Sequence, residues 1–128
     1  MSPDEFRLKT GLLGFTARDL DSIFTELDGR AREVLNGHGQ VPEHVGEVVS
    51  AWWEETTTAV ANTVAEATAA WETEQAPAQL TRYAQHALLP KEIGAHASSI
   101  QAWDYHLGLI LRALDAAGVP HQITTIGQ

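Results

Sequence analysis

The sequence predicts an all-α fold: a bundle of about four helices built on a long antiparallel helical hairpin, with a short extended C-terminal arm. Three stretches carry that expectation. Phe6, Thr10, Leu13, Ala17, Leu20, Phe24, Leu27, Ala31 and Val34 recur at alternating spacings of four and three, a heptad seam. Residues 41–74 form one amphipathic run that carries three of the four tryptophans. Ile93, His96, Ile100, Trp103, Leu107, Ile110, Leu114 and Ala117 repeat the four-and-three spacing in the last third of the chain.

In chain order, Ser2-Pro3-Asp4-Glu5 is a helix start, with Ser2 placed to cap, Pro3 at the first helical position and Glu5 placed to complete a capping box. The first helix is expected over about 3–36. Gly11 and Gly14 interrupt its seam, and Thr16 with Asp19 offers a second capping signal, so a break is expected near Gly14. Asn36-Gly37 ends it, because glycine takes the left-handed cap position without a Cβ penalty.

Pro42 opens the central helix, expected over about 42–75 and on the order of 50 Å long. At 100° per residue Trp53 and Trp71 point the same way, with Val49, Val60 and Val64 near that line. A second apolar stripe of Val45, Trp52, Ala59, Thr63 and Ala70 lies about 100° to one side, and Glu43, Glu47 and Glu54 gather roughly opposite this wide arc. The run between Thr56 and Ala70 is Ala, Thr, Val and Asn with Glu66 its single charge, so packing rather than propensity must hold it.

Ala76-Pro77 stops that helix. A short helix is expected over 78–88, with Leu80, Tyr83, Ala84, Ala87 and Leu88 as its apolar side, and a last helix over 90–117 that ends at Gly118 and Pro120. The tail, 118–128, contains the β-branched run Ile123-Thr124-Thr125-Ile126, suited to an extended arm that docks in cis or pairs with another subunit. Residues 1–128 are read as a single helical domain.

Charge narrows the function classes. The net charge is −9, and residues 33–81 hold eight acids with no Lys or Arg. That argues against a nucleic-acid partner, which needs a basic surface. No cysteine is present, which excludes disulfides and cysteine-based metal or nucleophile chemistry. No apolar run has the length of a membrane span, and SPDEFRLK lacks the basic-then-apolar layout of a cleaved leader. The expected location is the cytoplasm or an assembled particle, with leaderless secretion as the other route.

Six histidines raise the question of a metal. Glu92 and His96 stand four apart, as two ligands on one helix must, but no second pair of that kind follows, so no metal and no cofactor is expected. Asp104 and His106 lie two apart and point to different sides of a helix. No nucleophile-turn or phosphate-loop motif occurs, and no enzyme activity is expected.

The plan of two long helices with tryptophan near the turn resembles the secreted helical-hairpin proteins of the WXG100 class over roughly the first 75 residues. The turn has no Trp-x-Gly, and neither Tyr83 nor Tyr105 is followed four residues later by an acid, so no residue role carries over. The expected function is non-enzymatic association, with the chain itself or another helical protein as partner. Val49, Trp53, Val60, Val64 and Trp71 would form the apolar side of that contact, and Glu43, Glu47 and Glu54 the acidic side. The alternative is a small-ligand or metal-binding bundle, using a tryptophan-lined core with His96 and Glu92.

Overall fold

The computed structural model describes residues 1–91 and 94–128. The protein is mostly helical and is organised on one 32-residue helix, α4 (Glu43–Glu74). Before it come α1 (Pro3–Leu12), α2 (Ala17–Ile23) and α3 (Ala31–Leu35); after it come strand β1 (Ala78–Tyr83), α5 (Ile100–Ala117) and strand β2 (His121–Ile126). Helix α4 is about 48 Å long at 1.5 Å per residue.

The stretch expected as one helix over 3–36 is three short helices. Ser2 caps α1 by accepting from the Glu5 amide at 3.1 Å. The Glu5 carboxylate does not return the bond as a capping box requires; it pairs with Lys9 at 2.8 Å. The break near Gly14 is present, and Thr16 with Asp19 forms a reciprocal capping box that starts α2. A further break follows at Asp28-Gly29, both left-handed at φ 51° and 73°. The Asp21 carboxylate then accepts from the Ala31 amide at 2.9 Å and serves one of the free donors at the start of α3.

Two hydrophobic clusters pack on α4. The first joins Phe6, Leu13, Phe15, Leu20, Phe24, Leu27, Ala31 and Val34 to Val45 and Val49 of α4, with Trp52 stacked on Phe15 at a centroid distance of 5.0 Å. The second joins Ala78, Leu80, Leu107, Ile110, Leu114 and Val119, and Val60, Val64 and Trp71 of α4 pack against it. Gly14 ties the N-terminal helices to α5. At φ 83° it is left-handed, and a Cβ there would lie 3.0 Å from the Ala102 Cα.

The helix expected over 78–88 is instead strand β1, followed by a single 3-10 turn at His86–Leu88. Strands β1 and β2 form a two-stranded parallel sheet, with Leu80 beside Ile123. The extended arm therefore docks in cis. The physical reason is mutual: β2 is β-branched and favours an extended partner, and the ladder with β2 together with the burial of Ala78 and Leu80 outweighs the local helix preference of 78–83. Ala78 and Leu80 are both buried, with exposed Gln79 between them, a period of two.

The last helix is also shorter than the expected 90–117. It starts at Ile100, where the Ser99 hydroxyl accepts from the Ala102 amide at 3.0 Å. His96 accordingly sits in a 3-10 turn, Ala95–Ala97, rather than on the seam of a long helix. Glu92 and Ile93 lie outside the described residues. Gly118 ends α5 in the left-handed conformation expected of it.

Candidate interaction surface

The apolar side of α4 is largely spent on the chain's own two cores. Val49 is fully buried in the first cluster. Trp53 is half-buried at the same cluster, while Val60, Val64 and Trp71 are half-buried against the second. These five residues were expected to face a partner; the structure gives each an intramolecular neighbour. Fully burying one large apolar side chain stabilises by roughly 1.5–3 kcal/mol, and here the cover comes from short helices at the N-terminal half of α4 and from α5 with the sheet at the other half.

The acidic side remains open. Glu43, Glu47 and Glu54 line a groove of about 1000 Å³ between the N-terminal half of α4 and the start of α1, joined by Glu5, Gln40, Ser50 and Met1. The groove runs along the outside of the helix because residues 43, 47 and 54 fall on the face opposite Val45 and Val49. The Lys9 ammonium donates to Glu5 and holds that carboxyl below its usual range, chiefly through the hydrogen bond and then through its charge. Lys9 also lies 5.8 Å from the Trp53 ring centroid, so one cation links the start of α1 to the acidic flank of α4.

A second cluster was not foreseen as a group. The rings of His96 and His106 stack at a centroid distance of 4.3 Å, and both lie beside Trp103, at 6.1 and 5.5 Å. Trp103 in turn meets Tyr83 edge-on at 5.6 Å, and its indole N–H donates to the Thr81 carbonyl at 2.8 Å. Among the described residues, the His96 Nδ1, the His106 Nδ1 and the nearly buried Thr56 hydroxyl have no hydrogen-bond partner. Burial pushes the His106 imidazole down to about 4, with the neighbouring His96 adding to the shift. Burial likewise lowers His96, partly opposed by the Glu55 carboxylate.

Burial thus favours the neutral form of both imidazoles at pH 7, and the carboxylate of Glu55 is the charge that opposes it at His96. Among the described residues no three metal-ligating side chains meet at one point. Asp104 belongs elsewhere, gripping Arg82 with two hydrogen bonds of 3.0 and 2.8 Å. The three tryptophans that would line a carrier's pocket are divided: Trp53 packs with the first core, Trp71 and Trp103 with the second. The signal that brings His96 to His106 was present in the sequence as Ser98-Ser99, a helix start just before Ile100.

No protein family matches this chain, and no curated protein or solved structure shows significant similarity to it. No described helix is long and apolar enough to cross a membrane.

Proposed function

We propose that this chain is a non-enzymatic association module that presents the acidic side of α4 to a basic protein partner. The observation that carries the reading is the division of α4. Its apolar stripe is covered by the chain itself, while Glu43, Glu47 and Glu54 line an open groove with Glu5. In a stretch of eight acids and no Lys or Arg, the potential over that groove favours a cationic helix or loop and speeds its encounter. The proposed settings are an assembled particle, a secretion apparatus or a small chaperone-like complex. Within such an assembly the three short N-terminal helices packed on α4 form the body that holds the groove.

The test is a pull-down from the native source followed by titration of the captured partner. Complex formation should weaken with added salt, and replacing Glu43, Glu47 and Glu54 together by Lys should abolish it while the helical content is unchanged. Binding that ignores both salt and the triple substitution would sink the reading.

A second reading, a small-ligand or metal site at His96, is favoured by the stacked rings of His96 and His106, whose Nδ1 atoms have no hydrogen-bond partner among the described residues. A ligand there would quench or shift Trp103 fluorescence at substoichiometric protein, a response that metal salts and small apolar probes would reveal directly.

A further inference from the structure

The sheet on this protein is unfinished on one side. The Ala78 amide donates to the Pro120 carbonyl and the Ala84 amide to that of Ile126, so even-numbered residues of both strands face one another across the ladder. In a parallel ladder the odd-numbered residues turn their N–H and C=O groups the other way. On the β1 side one outward group, the Thr81 carbonyl, is capped by the Trp103 indole, which lies across that edge. On the β2 side the outward groups of His121, Ile123 and Thr125 meet no strand among the described residues.

Natural sheets blunt such an edge with Lys, Pro or a bulge. Strand β2, HQITTI, has none of these, and Ile123 and Ile126 are 50% and 42% exposed. The helix beneath it is also left partly uncovered. Leu80, Leu107, Gly108, Leu111 and Ile123, with the paired Arg82 and Asp104, line a mostly apolar recess of about 220 Å³ between α5 and the sheet, and a Cβ at Gly108 would touch nothing. The one acid lining the recess, Asp104, is already neutralised by Arg82.

We infer that the free edge of β2 pairs antiparallel with β2 of a second copy of this chain, giving a four-stranded sheet with β1 strands outermost. The occupant is argued from register, cover and charge. Pairing about Ile123 sets His121 opposite the partner strand's Thr125, so every outward group meets another and about six main-chain hydrogen bonds form. Directly opposed residues share a face, so the two Ile123 side chains lie together on the side of α5, where the recess is. Two chains of charge −9 repel, and this edge lies in residues 82–128, which hold three acids and three bases. A two-stranded sheet is also marginal by itself, and four strands on two helices are not. This inference rests on the association reading but uses a surface on another element from the Glu43–Glu54 groove.

Light scattering on the full chain tests it, together with amide exchange at several concentrations. The expected result is a mass twice that of the chain, with the Ile123 and Thr125 amides protected at high concentration and exchanging freely on dilution. Ile123→Lys should halve the mass; if that variant misfolds, Thr125→Pro, which removes an outward donor, should do the same. A chain that stays monomeric at high concentration overturns the inference, as does a dimer in which both amides exchange freely or which survives Ile123→Lys. An Ile123→Lys monomer that still binds a basic partner through α4 keeps the two readings separate.

Discussion

The His106 ring, on the buried side of α5, lies against the ring of His96 with centroids 4.3 Å apart, and the two Nδ1 atoms are left without partners among the described residues. Two imidazoles in that contact are compatible only while both are neutral. Protonating His106 would place a charge on a residue only 5% exposed to water, and protonating both rings would set like charges face to face.

A pH dependence of stability follows. The folded pKa of His106, about 4, lies below the usual 6.5, so the unfolded chain takes up the proton first as pH falls. The stabilisation is complete above pH 6.5 and is lost as pH falls from there towards 4. At 1.36 kcal/mol per unit, His106 alone should cost about 2 kcal/mol between pH 8 and pH 5, and His96 adds in the same direction. Glu5, shifted below 4.5, contributes only at lower pH. Urea unfolding at the two pH values checks this, and His106→Phe should flatten the difference.

Gly14 should be nearly irreplaceable. Its left-handed φ costs any L-residue about 1–2 kcal/mol, and an added Cβ would press within 3.1 Å of the Gln101 carbonyl oxygen as well as on Ala102. Gly14→Ala should lower stability by at least about 2 kcal/mol. Gly11→Ala, in open space near the end of α1, should instead stabilise by up to about 1 kcal/mol. Thermal melts of the pair give opposite signs if the α1–α2 turn packs on α5 as described.

Trp103→Phe removes the indole N–H that covers the outer edge of β1 at Thr81. Leaving that carbonyl unpaired should cost about 1–3 kcal/mol, and exchange of the neighbouring β1 amides should quicken more than that of α1.

Val49→Ala should behave as a core mutation, not an interface mutation. The side chain is wholly enclosed by the N-terminal helices, so stability should drop by about 2 kcal/mol while binding of a basic partner is unchanged. Denaturant midpoints and a binding titration on the same sample separate the two effects.

Much of the burial was legible in the sequence, and less of the path. Of the nine seam residues between Phe6 and Val34, all but Ala17 are buried, although the seam is cut into three helices. Periodicity records which side chains face inward, and short helices that fold back on α4 bury the same set as one rod would. The second cut lies at Asp28-Gly29, a turn dipeptide overridden by the regularity around it. The extent of α4 was readable because Pro42 and Ala76-Pro77 fence it. The strand at 78–83 was not, because Ala, Gln, Leu and Arg favour helix locally and only the distant Ile123-Thr124-Thr125-Ile126 turns them into a ladder. The histidine cluster failed for the same reason: its members come from a turn and a helix whose boundary was set ten residues early.

Because α4 runs unbroken from Glu43 to Glu74, neither hydrophobic cluster can tilt without dragging the other. A substitution that kinked the rod midway, such as proline in the run between Thr56 and Ala70, would uncouple the orientation of the Phe6–Val49 cluster from that of the cluster beneath Trp71 and the sheet. The two clusters share one continuous backbone as their common support.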